Sequence, residues 1–365
     1  MMNPKVKSFL SFVLKAGLAV LIFWQIFDYD HRLPVLKKVL PKIEFREVLE
    51  KGQNANYLYA IPQVLVILTI LCLAALRWHQ LLRIQRINLP LWRAMAITAI
   101  GNFFNCFLPG GTGGDLIKVV YAVNAAPDKK TEVVSTMVMD RLIGVTGILI
   151  VILTMGIIHA SKVSEIFKII GASFGGSKGG GGFSLIHIVL LIGAMGVVCL
   201  LLIVALRATF ERKSPWLARC YRAFDTIKEK TVTALKMYSA SGPQFFLTLV
   251  YSVAIHLLLV FIPYFAALAI DEKNASLLAF MLIIPVVNLV TSIPISVGGL
   301  GVRELVLIPL LAVFGVGQSE AIFISLVWFI MVPLGNLPGG LVYLFYKQNK
   351  SNPDPEPEVG TPLKS

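Results

Sequence analysis

The sequence predicts an all-α fold, a polytopic bundle of membrane helices that carries two inverted re-entrant helical hairpins. Composition is the first reason. Of 365 residues, 56% are hydrophobic and only 15% are charged, against about 25% charged in soluble domains. Mean hydropathy is +0.78, and several apolar runs reach the roughly 20 residues that cross a bilayer. The second reason is a pattern that occurs twice inside apolar sequence. Pro109, Gly113-Gly114 and Lys118 form one copy, and Pro294, Gly298-Gly299 and Arg303 form the other. Each has its glycine pair four and five residues after the proline and its cation nine after it. Proline and paired glycines break helices, and a cation beyond the break is costly at membrane depth. Broken apolar segments at matching places in two halves point to a membrane binding site.

Lys5 and Lys7 precede the apolar run 8–27, which Lys15 interrupts. The run is long for a signal-peptide core and no A-x-A site follows it, so it reads as an uncleaved first span. The next candidate spans are 57–76, 94–108, 132–159, 184–206, 243–269, 276–293 and 320–346, with shorter helical pieces at 113–126 and 302–316. At 1.5 Å per residue, 94–108 reaches only about 22 Å, short of a hydrocarbon core of about 30 Å. Each short piece is therefore read as one arm of a hairpin that turns inside the protein. Such backbone is tolerated at depth where protein or a polar cavity surrounds it. The late NLPGG, Asn336 to Gly340, reads as a kink in the last span.

Charge bias sets the orientation. Connector 77–93 has four arginines and no acid, and 207–241 has eight Lys/Arg against three acids. Residues 270–275 hold Asp271, Glu272 and one lysine. The basic connectors face the cytoplasm and the acidic one faces outward. Connector 28–56, with six basic residues and five acids, is neutral on this point. The first hairpin then enters from the cytoplasm and the second from outside, with three crossings between them. Two similar units so placed are inverted copies, with their glycine breaks near the midplane. Residues 1–346 form one membrane domain and 347–365 a disordered cytoplasmic tail. The stretch 171–184, GASFGGSKGGGGFS, is an external flexible linker, and 210–240 suits an interfacial amphipathic helix. Both termini are placed in the cytoplasm of a bacterial-type inner membrane.

Lys118 stands one turn past Gly114, and Asp115 opens the same helix; Arg303 and Glu304 occupy the matching region of the second hairpin. A helix start behind glycines, with a cation one turn in, can cradle a phosphate. The structural alternative has the same cations pairing with Asp115, Asp140 or Glu304 to stabilise the hairpins. Asp140-Arg141 is a further intramembrane charge pair whose members diverge by about 100° on a helix, so they need not pair with each other. Depending on depth, it lines the polar cavity and partners the first hairpin, or it snorkels at the interface. Asn102, Asn105, Thr112, Asn288, Thr291, Ser292 and Ser296 supply polar groups near the breaks, chiefly for freed backbone.

Composition and motifs exclude several classes. The net charge of +13 lies in loops beside apolar segments, as orientation signals and anionic headgroups require, so no nucleic-acid partner is read. The four cysteines and five histidines show no metal-ligand spacing, and no metal or cofactor is assigned; His256 reads as a packed helix residue. No Walker A or H-E-x-x-H motif is present.

LPGGTGGDLIKVVYA, VVSTMVMDRLIGV and PISVGGLGVREL resemble the lysylphosphatidylglycerol synthase transmembrane (flippase-like) family over most of residues 57–346. The resemblance implies an all-helical membrane fold related to the part of bifunctional enzymes that moves aminoacylated lipid outward. The soluble aminoacyl-transfer domain is not expected here, and with it no lysyltransferase activity. The motif match carries over Gly113, Gly114, Asp115, Lys118, Asp140, Arg141, Gly298, Gly299, Arg303 and Glu304 as candidate substrate-binding positions. The expected function is binding and translocation of an anionic, aminoacylated or polyprenyl-phosphate lipid through its headgroup, with a separate lipid-modifying enzyme as a conceivable partner. The competing expectations are an intramembrane transferase or accessory subunit, and an ion-coupled small-solute transporter.

Overall fold

The computed structural model describes residues 45–107, 113–164, 241–292, 299 and 301–346. The expected spans 8–27 and 184–206, the linker 171–184, the amphipathic stretch 210–240, the tail 347–365, and Pro109, Thr112, Pro294, Ser296 and Gly298 lie outside them. Among the described residues all regular structure is helical, with no strand. The helices are α1 (Phe45–Gln53), α2 (Ala60–Ile84), α3 (Leu91–Phe107), α4 (Gly113–Ala125) and α5 (Lys130–Ile158), followed by α6 (Gly242–Ala269), α7 (Leu277–Thr291), α8 (Val302–Ala312) and α9 (Gln318–Phe345). Four segments are long and apolar enough to cross a membrane: 57–84, 127–158, 242–269 and 318–345. Large apolar side chains such as Leu65, Leu116, Ile157, Phe246 and Leu344 lie on the outside, as a protein solvated by lipid allows.

Span positions agree with the sequence reading to within a few residues, with one correction. The expected span 57–76 ends too early, because α2 runs on to Ile84 and takes Arg77 into the interior rather than into a basic connector. Arg77 is compatible with a helix interior because a carboxylate on α5 meets it there.

A set of four helices occurs twice at one spacing. The two prolines differ by 294 − 109 = 185. Adding 185 to the bounds of α2, α3, α4 and α5 gives 245–269, 276–292, 298–310 and 315–343, and α6 to α9 occupy 242–269, 277–291, 302–312 and 318–345. Packing follows the same exchange. The pairs α2–α3, α4–α5, α3–α9 and α5–α6 recur as α6–α7, α8–α9, α7–α5 and α9–α2, and α2 packs directly on α6.

Helices α2 and α6 are antiparallel. Asn56 N–H, just before α2, donates to Ala269 O at the end of α6 (2.7 Å), and Tyr59 stacks on Phe265. Toward the other ends, Arg77 Nη1 donates to Ser252 Oγ (3.2 Å). The end of α2 meets the start of α5 where Lys129 Nζ donates to Arg86 O. At the opposite end of the bundle, Asn274 Nδ2 donates to Gly315 O (3.1 Å) beside the start of α9. The α3–α4 hairpin therefore opens at one end of the bundle and the α7–α8 hairpin at the other.

Small residues permit close helix approach where lipid gives little drive for association. A Cβ on Gly339 would collide with the Ala99 backbone of α3, and one on Gly340 would lie 2.8 Å from the Phe103 ring. Gly339 and Gly340 thus seat α9 on the first hairpin, within a helix that continues to Phe345 through Pro333 and Pro338.

Candidate functional site

The first hairpin is closed by its own polar groups. Gly114 N–H opens α4 with no intrahelical acceptor, and Asn105 Oδ1 on α3 accepts from it at 2.9 Å. Asn105 Nδ2 also donates to Asp115 Oδ1 (3.3 Å). The backbone-satisfying role expected of Asn105 is what the structure contains. On the other side of Asp115, Arg141 of α5 forms an ion pair with it.

Lys118 is buried, and its ammonium lies 3.7 Å from Asp140 Oδ2 and 4.2 Å from the centre of the Trp78 ring. Asp140 is bound more closely from the opposite side, by Arg77 Nε at 2.9 Å. Asp140 and Arg141 thus point to different partners, as their angular separation predicts, and both reach the first hairpin. His256, read as a packed helix residue, meets the Gly144 carbonyl through Nε2 at 3.0 Å.

In the second hairpin Gly301 has φ +83°, a left-handed geometry open to glycine, and Glu304 accepts from its N–H at 2.5 Å. Arg303 donates to Glu304 Oε1 through Nη2 (2.9 Å) and to Ser325 Oγ of α9 through Nε (2.8 Å). Its guanidinium lies 5.1 Å and 5.7 Å from the Trp328 and Phe329 rings. The 185-residue spacing carries Lys118 onto Arg303 and Asp140 onto Ser325 (140 + 185 = 325), and both cations contact the side chain that lies 22 residues further on.

The end of α3 faces the second hairpin and α9 across a cavity of about 150 Å³. Cys106, near the end of α3, lines it together with Asn288, Thr291, Gly299 and Arg303 of the second hairpin and Trp328 and Phe329 of α9. The Asn288 amide nitrogen is buried and has no hydrogen-bond partner, while Thr291 is satisfied by the Val287 carbonyl. A larger cleft of about 680 Å³ lies at the end of the bundle where α2 begins, between α1 and the start of α9. None of the predicted site residues lines it. Its charged side chains have partners: Lys51 pairs with Glu320 at 2.6 Å, and Glu47 accepts from the Ser319 hydroxyl. The hydrogen bond to Glu320 holds the Lys51 ammonium above its ordinary value.

The structure thus joins Gly114, Asp115, Lys118, Asp140 and Arg141 in one network, and Gly299, Arg303 and Glu304 around a second centre. Gly113 begins α4, and Gly298 is outside the described residues. Arg77, Trp78 and Ser325 were not singled out from the sequence. The 185-residue spacing was a readable signal for Ser325; Arg77 had none, since its partner is 63 residues away on another helix.

The family model for the lysylphosphatidylglycerol synthase TM region matches residues 10–334. No curated protein and no solved structure matches the chain.

Proposed function

We infer the function from one premise: this chain belongs to the lysylphosphatidylglycerol synthase TM family. The chain binds the headgroup of a membrane lipid between its two hairpins and passes it from one leaflet to the other. The observation that carries this reading is the cavity between the end of α3 and the second hairpin, with a buried arginine and an unpartnered amide donor in its wall. A polar headgroup can be held there while its acyl chains stay in lipid. In this reading α2–α5 and α6–α9 are inverted copies about an axis in the membrane plane. The antiparallel α2–α6 pair and the opposite openings of the hairpins support it. The alternative of an intramembrane transferase needs a free acid–base pair, whereas Asp115, Asp140 and Glu304 are each tied to a cation.

Two measurements test the reading. Single cysteines at Thr131 and Asn274, in otherwise thiol-blocked protein, should label from opposite sides of the membrane. Labelling from one side rules out the inverted arrangement. In proteoliposomes, wild-type protein should move a labelled phospholipid between leaflets, and Lys118→Ala/Arg303→Ala should slow this at least tenfold, a change of about 1.4 kcal/mol in the barrier. A folded double variant with undiminished transport would make both cations structural.

A further inference from the structure

We propose that the cavity between the end of α3 and the second hairpin holds an uncharged, hydroxyl-bearing part of the lipid headgroup, from a small polyol or a sugar. The proposal rests on the lipid-binding reading above and names the chemistry that this cavity recognises. Among the described residues Arg303 is the one charged side chain in its wall, and that charge is already matched. Glu304 Oε1 accepts from Nη2 at 2.9 Å and from Nε at 3.2 Å, and both side chains are buried. The pair sums to zero. A phosphate set against it would add a buried negative charge that this centre does not cancel, and an ammonium would add a positive one. Either is costly.

What the wall leaves open is hydrogen bonding of both kinds. Arg303 spends Nε and Nη2 on Glu304 and Ser325, and among the described residues Nη1 makes no hydrogen bond. The Asn288 amide nitrogen is buried and unpartnered. These two are donors. Thr291 supplies an acceptor, because its hydroxyl proton goes to the Val287 carbonyl at 2.9 Å and its oxygen keeps two lone pairs. Other unpartnered buried atoms, Gln63 Oε1 among them, belong to residues outside this wall. A ligand hydroxyl can accept an N–H from Arg303 or Asn288 and give its own proton to Thr291. A phosphodiester has no proton to give, and an ammonium has donors only. Trp328, Phe329, Val332 and Pro333 make the rest of the wall apolar, which suits the C–H surface of a polyol. An apolar lining with a few placed polar groups is the usual makeup of a small-molecule site. At about 150 Å³ the cavity has room for roughly five waters at about 30 Å³ each, which suits a glycerol unit or one side of a sugar ring.

Matched lipids separate hydroxyl from charge. Full-length protein is equilibrated with equal amounts of phosphatidylglycerol, phosphatidylmethanol and monoglucosyl-diacylglycerol, and retained lipid is identified by native mass spectrometry. The first two share one phosphodiester charge and differ in the hydroxyls, while the third has hydroxyls and no charge. At least one hydroxylated lipid should be retained about tenfold over phosphatidylmethanol, and whichever is retained more identifies a glycerol unit or a sugar as the source. Thr291→Val, which keeps the shape of the side chain and removes its oxygen, should cut that excess to about threefold, and Thr291→Ser should restore it. The wild-type competition decides even if a variant fails to fold. Retention of neither hydroxylated lipid above phosphatidylmethanol overturns the proposal and leaves the lipid-binding reading intact. An excess unchanged by Thr291→Val also overturns it, since the hydroxyls would then be read elsewhere. Retention of no lipid at all overturns both. Displacement of the lipid by millimolar free glycerol or glucose would make the ligand a soluble polyol and overturn the lipid assignment.

Discussion

Gly114→Ala should separate the arms of the first hairpin and cost more than any other single-methyl substitution in this site. The added Cβ would collide with the Gly101 carbonyl oxygen and lie 2.7 Å from the Asn105 nitrogen and 2.8 Å from the Gly101 carbonyl carbon. All three are backbone atoms of α3, so no side chain can swing aside and the helices themselves must part. Overpacking costs about 1–3 kcal/mol where side chains adjust, and a backbone collision belongs at or above the top of that range. The bond from Gly114 N–H to Asn105 goes with it, for about 1 kcal/mol more. Gly101→Ala should be milder, because its Cβ would meet Gly114 O at 3.2 Å and Lys118 Cβ at 3.3 Å. Gly242→Ala is the control: it is the first residue of α6 and nothing lies within 4 Å of its Cβ, so the change should be close to neutral. Thermal unfolding in detergent should rank the three variants Gly242→Ala, Gly101→Ala, Gly114→Ala from most to least stable. A Gly114→Ala protein that melts with wild type would mean that α3 and α4 do not meet through these glycines. Lipid handling should fall along with stability, since displacing α4 carries Lys118 away from Asp140 and Trp78.

Helices were legible because apolar length is a local property. The run read as 243–269 is α6 at Gly242–Ala269, and the run read as 276–293 is α7 at Leu277–Thr291. Helix starts were legible for the same reason, since glycine acts on its own backbone: α4 begins at Gly113 and α8 follows Gly301. What local pattern hides is pairing. Arg77 and His79 at the end of an apolar run look like the start of a basic connector, and only Asp140 on a distant helix makes Arg77 an interior residue. Glu304 read as a partner for Arg303 because the two are adjacent, whereas Ser325, which bonds both, is an ordinary helix serine until the 185-residue spacing sets it opposite Asp140. Helix α1 was unreadable for another reason. Its nine residues are largely polar and owe their place to contacts with α9, Glu47 to Ser319 and Lys51 to Glu320.

Arg77→Leu should be the most damaging substitution of a charged side chain. It leaves Asp140 with Lys118 at 3.7 Å as its remaining direct partner and removes the donor to Ser252 that joins α2 to α6. Breaking a buried pair from one side costs about 3–5 kcal/mol, because the other charge stays buried and uncompensated. Arg77→Lys should recover only part of this. The guanidinium reaches Asp140 through Nε and Ser252 through Nη1 together, and an ammonium cannot reproduce that fork. The decisive variant is Arg77→Leu/Asp140→Leu, in which both members of the pair are removed. If the cost lies in the stranded carboxylate, this double variant should unfold at a higher temperature than Arg77→Leu alone, with a coupling of about 0.5–3 kcal/mol. Lys118 would then be the one cation of that network without a carboxylate, and lipid retention should persist or rise while transport falls, since the headgroup has lost its internal competitor for the ammonium. Additive losses in the double variant would instead mean that Arg77 stabilises the bundle through Ser252 and α6. Asp140 would then bear on the lipid through Lys118 alone.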